Sequence, residues 1–148
     1  MKVKVGDVAP DFKLASNVSP EISLSDYAGN RSVVLYFYPK DETLGCTKEA
    51  CAFRDSYEVF KEHGAEVLGV SSDSVDTHKK FAENHQLSFP LLSDPHGDLR
   101  KAYGVPSSLG FLPGRVTYVI DKKGVVRGIF NSQIHPEQHI DEALKMLE

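Results

Sequence analysis

The sequence predicts an α/β domain in which a central mixed β-sheet is flanked by helices on both faces. Two stretches carry that expectation. In the first, the β-branched and aromatic run Val33-Val34-Leu35-Tyr36-Phe37-Tyr38 is followed by a helical pattern from Cys46, and then by the apolar run Val67-Leu68-Gly69-Val70. Strand, helix and strand in succession form a parallel pair with a right-handed crossover. In the second, Val116 to Ile120 and Val125 to Phe130 flank the turn Asp121-Lys122-Lys123-Gly124, and a last helix follows. That is a hairpin signal, and a hairpin makes the sheet mixed rather than all-parallel. At 148 residues, with 41% apolar and 26% charged side chains, the chain has the length and balance of one globular domain spanning 1–148.

The elements follow in order. Val8 to Leu14 alternates loosely and reads as an extended edge segment that tolerates Pro10. Ile22-Ser23-Leu24 is a short extended piece before the turn at Tyr27 to Asn30. Val33 to Tyr38 has no polar alternation, so it reads as a strand covered on both faces, ended by Pro39. Lys40 to Gly45 is a loop. From Cys46 to about His63, Ala50, Phe53, Tyr57 and Phe60 fall on one helical stripe, and Gly64 sits where a C-cap glycine belongs. A shorter helix runs from Val75 to about His85 behind Asp73 or Ser74 as N-cap. A strand at Phe89 to Leu92 and a helix near Gly97 to Tyr103 come next. Val105 to Arg115 carries Pro106, Gly110, Pro113 and Gly114 and reads as a loop. Pro136 suits the first turn of the final helix, whose apolar face is Ile140, Ala143, Leu144 and Leu147. This order is the layout of a thioredoxin-like fold.

Composition excludes several classes. Lys and Arg total 17 against 21 Asp and Glu, a net charge of −4, which does not make the basic surface that broad nucleic-acid binding needs. The longest apolar run is far short of the roughly 20 residues that span a bilayer, and the first residues lack a secretory h-region. The six histidines are scattered. His135 and His139 are four apart, but His135 precedes Pro136 and is biased toward extended backbone, so packing or solvated roles are expected of them rather than a metal site. No cofactor is expected.

The two cysteines, Cys46 and Cys51, are too few for a disulfide scaffold or a four-ligand zinc site without other ligands. Cys46 lies at a strand-to-helix junction, where unpaired N–H groups and the helix dipole stabilise a thiolate. Asp41, Glu42 and Glu49 nearby oppose this, so a cation must come from elsewhere. Cys51 lies about 140° around the helix from Cys46, with Cα atoms about 8.6 Å apart in an intact helix. A disulfide needs less than about 7 Å, so the two thiols bond only if the first helical turns unwind. By themselves, two cysteines five apart read more readily as small buried hydrophobes.

The surrounding residues make a more specific pattern. Pro39-Lys40-Asp41-Glu42-Thr43-Leu44-Gly45-Cys46 fits P-x-x-x-T-x-x-C, and Thr47-Lys48-Glu49-Ala50-Cys51 extends it to C-T-x-E-A-C. Gly6 to Phe12, Gly69 to Ser74 and Pro113 to Asp121 continue the likeness along essentially the whole chain. The sequence resembles the peroxiredoxins, and within them the peroxiredoxin Q or bacterioferritin comigratory protein type. The resemblance implies a thiol peroxidase that reduces hydrogen peroxide and organic hydroperoxides. Cys46 would be the peroxidatic cysteine and Cys51 the resolving one, paired as an intramolecular disulfide. Thr43 and Pro39 would stand beside the thiolate, and Arg115 would be the missing cation. It also implies thioredoxin or a similar dithiol as reductant and a monomer; a cytoplasmic location is expected, with a plastid mature form as the alternative. Leu44 departs from the subgroup, which often has Pro there; this touches loop stiffness. The competing reading is a thiol–disulfide oxidoreductase on the same fold, but C-x4-C is not the C-x-x-C of those enzymes. Phe111 and Leu112 are candidates for donor docking. The account requires Arg115 beside the sulfur and a sulfur that a small oxidant can reach.

Overall fold

The computed structural model describes residues 3–108, 112–132 and 135–147. Nine strands and five helices alternate along it: β1 (Lys13–Leu14), β2 (Ile22–Ser23), β3 (Ser32–Phe37), α1 (Leu44–Asp55), α2 (Tyr57–Glu62), β4 (Ala65–Ser71), α3 (Val75–His85), β5 (Leu91–Ser93), α4 (Asp98–Tyr103), β6 (Ser107–Ser108), β7 (Leu112–Pro113), β8 (Val116–Ile120), β9 (Val126–Asn131) and α5 (Gln138–Leu147). The central sheet has the order β5-β4-β3-β8-β9. β3, β4 and β5 are parallel, while β8 runs antiparallel to β3 and β9. The mixed sheet with a βαβ half and a hairpin half is the thioredoxin-like arrangement expected from the sequence.

The unbroken apolar run in β3 is explained by its place at the centre. Val33, Leu35 and Phe37 enter one hydrophobic cluster with Leu99 and Tyr103 of α4 and with Phe12 and Ile22 of the N-terminal segment. Val34, Tyr36 and Tyr38 enter the other, with Cys46, Ala50 and Phe53 of α1, Phe60 of α2, Phe81 of α3 and Ile140 of α5. Successive side chains of a strand point to opposite faces, so a strand with both faces covered has no position left for a polar residue. The helical stripe from Ala50 through Phe53 to Phe60 buries as expected, and Tyr57 is half-buried. Truncating Phe53, which is 0% exposed and stacked on Tyr36 at 4.5 Å, would cost about 3–5 kcal/mol.

Three expectations need correction. The single helix expected to His63 breaks at Ser56, whose backbone (φ −102°, ψ 6°) leaves helical geometry and whose N–H is shared between the carbonyls of Ala52 and Phe53. The apolar stripe runs on through the break, so periodicity does not register it. The strand expected over Phe89 to Leu92 is shifted to Leu91–Ser93, because Pro90 has no N–H to give to the ladder. The expected loop from Val105 to Arg115 contains a short antiparallel pair, Ser107 with Pro113 and Ser108 with Leu112. Residue 111, one of the two docking candidates, lies outside the described residues, and β7 is all that is described of Leu112. Of the two N-cap candidates for α3, Ser74 is the cap: its side chain accepts the Thr77 N–H at 3.1 Å.

Candidate active site

The first turn of α1 carries Cys46, and its side chain points inward, with the residue 1% exposed. The helix opens at Thr43, an extended N-cap (φ −86°, ψ 154°) that makes no side-chain capping bond. Its hydroxyl instead donates to the Lys40 carbonyl at 2.9 Å. The Thr43 proton is therefore committed to an internal bond in this state, which leaves the Thr43 oxygen as an acceptor. The opening N–H groups of α1 have no carbonyl one turn earlier in the helix, so they and the dipole face toward Cys46.

The cation comes from the start of β8. Arg115 is 5% exposed, and its Nη2 donates to Cys46 Sγ at 3.4 Å. Gly45 makes room for it: a Cβ there would stand 3.1 Å from the same Nη2. Nη1 donates to Glu49 Oε1 at 2.5 Å. Glu49 stands one turn beyond Cys46 on α1, so helical spacing puts both on the face that meets Arg115. Burial works against the Arg115 charge, but Glu49 and Cys46 beside it hold its pKa above the ordinary value. Burial pushes the Glu49 carboxyl up to about 8, against the pull of Arg115.

Behind Glu49 lies His139 of α5, 0% exposed. Its Nε2 is 2.8 Å from the Ser132 carbonyl and its Nδ1 is 2.7 Å from Thr117 Oγ1 of β8. Burial lowers its pKa to about 4, so it is neutral near pH 7. With Nε2–H donated to the carbonyl, Nδ1 is left to accept the Thr117 hydroxyl proton. Sequence reading found neither Glu49 nor His139 as part of the site. Glu49 was only a carboxylate opposing the thiolate, and His139 only a packing or solvated residue. The signal available was the i, i+3 spacing of Cys46 and Glu49.

The other two carboxylates of the loop are turned away from the sulfur. Asp41 is buried: Oδ1 accepts the Tyr38 hydroxyl at 2.5 Å, and Oδ2 lies 2.6 Å from His78 Nδ1. His78 Nε2 in turn faces the Leu92 carbonyl at 2.9 Å. The Asp41 N–H donates to Asp73 Oδ2 at 2.8 Å, which also accepts Ser71 Oγ at 2.6 Å. Asp41, Asp73 and His78 each bring a possible ligand atom within 4.8 Å of the others, yet each atom already has a protein partner, so the trio reads as a clasp on the loop rather than a metal centre. Glu42 is held in the left-handed region (φ 62°) by Asn84 Nδ2 at 2.7 Å and His85 Nε2 at 2.8 Å. Those two bonds lower its pKa.

Of the residues expected at the site, Cys46, Thr43 and Arg115 converge on the first turn of α1, and Pro39 is half-buried at the head of the same loop. Cys51 shares the unbroken helix with Cys46, half-buried, and both thiols are free. The sulfur is more closed than an open pocket would make it, while Thr43 and Leu44 just before it in the chain are exposed.

A thioredoxin-like sheet that offers a buried thiol to a guanidinium at a helix start defines a cysteine-based redox enzyme. The AhpC/TSA family description matches residues 5–129. The chloroplastic peroxiredoxin Q of Sedum lineare is 56% identical over 148 residues, covering 99% of this chain and 79% of the relative. The peroxidoxin BcpB crystal structure from Mycobacterium tuberculosis superposes with TM-score 0.90 at 40% identity, over 98% of this chain and 96% of that one. A cysteine-to-serine variant of PrxQ from Xylella fastidiosa also gives TM-score 0.90, at 32% identity, over 99% and 96%. The chain belongs to the AhpC/TSA family, among the peroxiredoxins of the Q type, and is a thiol peroxidase.

Proposed function

We propose that one domain, 1–148, runs a thioredoxin-dependent peroxidase cycle in which Cys46 is the peroxidatic residue and Cys51 resolves it. The observation that carries this assignment is the 3.4 Å contact from Arg115 Nη2 to Cys46 Sγ at the opening turn of α1. The guanidinium and the helix start favour the thiolate and receive the charge that develops on the departing peroxide oxygen. Thr43, with its own proton committed to Lys40, accepts the peroxide O–H and so aims the other oxygen lone pairs at the donors. Pro39 has no N–H and shapes the loop. A slight opening of the turn bearing Thr43 and Leu44 admits the oxidant.

Attack leaves a sulfenic acid, which condenses with a thiol to a disulfide and water. Cys51 reaches it when the first turns of α1 unwind, since an intact helix keeps the pair beyond bonding distance. A thioredoxin-type dithiol then reduces the exposed disulfide. The working unit is a monomer. Its compartment supplies such a dithiol and is cytoplasmic or, as the names of the plant relatives have it for them, chloroplastic.

The test is a thioredoxin-coupled peroxide assay. Wild type turns over, Cys46→Ser does not, and Cys51→Ser consumes one peroxide and then stalls, drifting to sulfinic acid. Turnover by Cys46→Ser near the wild-type rate ends the proposal, and unimpaired turnover by Cys51→Ser removes Cys51 as resolver.

A further inference from the structure

We infer that Cys46 and Glu49 share one negative charge across Arg115, which rests on the sulfur in the reduced protein and passes to the Glu49 carboxylate when the sulfur becomes a sulfenic acid. This deepens the proposed cycle and rests on it.

Three observations lead here. First, one guanidinium serves two buried partners through different nitrogens, Nη2 to Cys46 Sγ and Nη1 to Glu49 Oε1. Both partner residues are at most 1% exposed. Two anions against one cation in a dry site would leave an uncompensated charge, which burial makes costly. Second, no other facing group among the described residues supplies a positive charge. Tyr36 of β3 is kept protonated by burial, and His139 of α5 is neutral near pH 7. Third, Glu49 Oε2 has no hydrogen-bond partner among the described residues, although it is fully buried. It faces His139 Nδ1 at 3.6 Å. That nitrogen's lone pair is taken by the Thr117 hydroxyl, because Nε2 carries the ring proton toward Ser132, so it offers Oε2 no donor. A carboxylate oxygen there would be buried with no donor and beside an occupied lone pair, a charge cost that the neutral acid avoids. The raised Glu49 pKa agrees with the protonated form in the reduced protein.

The oxidation step then balances within the site. A sulfur electron pair forms the S–O bond, and the O–O bond breaks onto the departing oxygen. Sulfur is oxidised by two electrons and the peroxide is reduced. The transferred oxygen keeps its hydrogen, giving a neutral sulfenic acid, and the departing hydroxide takes one proton to leave as water. Arg115 has lost one anionic partner, so Glu49 ionises and releases one proton. Uptake and release cancel.

The experiment counts protons in a Cys51→Ser background, which stops at the sulfenic acid. Stopped flow with a pH indicator in weak buffer, near pH 7, follows one equivalent of hydrogen peroxide. The protein with Glu49 takes no proton from solution per sulfenic acid, whereas Glu49→Gln takes one. Equal uptake by the two overturns the inference. Infrared difference spectra give a second reading that does not depend on Glu49→Gln folding. Peroxide should remove the carbonyl band of a protonated carboxyl from the protein that keeps Glu49, and a spectrum without that loss overturns the inference. Trapping with dimedone separates the two levels. An adduct together with equal proton counts sinks only the charge sharing, and no adduct sinks the peroxidase assignment beneath it.

Discussion

Two buried polar clusters flank the loop from Pro39 to Cys46, and they differ in how completely their hydrogen bonds are made. In the Asp41 cluster, Tyr38, Ser71, Asp73, His78 and the Leu92 carbonyl engage one another, and none of these side chains has a buried polar atom without a partner among the described residues. In the Cys46 cluster, Glu49 Oε2 and Arg115 Nε are buried without partners among the described residues. A saturated network has one low-energy arrangement and holds a shape. An unsaturated one carries desolvation cost that is relieved when a charge or a substrate changes. The first anchors the loop, and the second is the seat of the proposed chemistry at its end.

The largest test of that contrast is Asp41→Ala. It strips a buried hydrogen-bond partner from both His78 and Tyr38 and should lower unfolding free energy by about 2–5 kcal/mol in urea titration. A loss below about 1 kcal/mol would make the saturated cluster no anchor. Arg115→Ala should act the other way round. The first oxidation of Cys46 should slow by about 10²–10³-fold in stopped flow. Stability should fall by less than in Asp41→Ala, because Glu49 can stay protonated once its cation is gone. Equal damage to stability by both variants breaks the comparison. Gly45→Ala is subtler. The added methyl meets Arg115 Nη2 and should slow the same oxidation about tenfold while leaving the circular dichroism spectrum unchanged. An unaltered rate would show that the guanidinium tolerates displacement.

Glu42→Gln is the smallest. Asn84 and His85 hold Glu42 at a solvent-exposed latch, so its loss should speed Cys46–Cys51 disulfide formation by less than about fivefold. The pH dependence has a definite sign. The folded Glu42 pKa lies below its ordinary 4.5, so the latch is fully present above that value. It is lost as pH falls through the lower folded value. A resolution rate for Glu42→Gln that stays above the wild-type rate by the same ratio well below pH 4.5 would contradict it.

What the sequence disclosed follows a physical line. Val33 to Tyr38 and Val67 to Val70 are legible because burial on both faces removes every polar position. Cys46 is legible because its neighbours form a spaced pattern at a helix start. Ser56 was not, since the apolar stripe crosses it undisturbed. Glu49 and His139 were not, since their meaning lies in contacts between α1, β8 and α5. The approach of Arg115 was read from family resemblance alone, for nothing local in Pro113-Gly114-Arg115 tells which helix it will face.

The break at Ser56 has one more consequence. A melting turn propagates along a helix until the hydrogen-bond ladder is interrupted, and here the interruption comes five residues after Cys51. α2, anchored by fully buried Phe60, starts beyond it. In the proposed cycle, fraying of α1 that reached Ser56 would meet a firebreak there, leaving α2 and Phe60 in place.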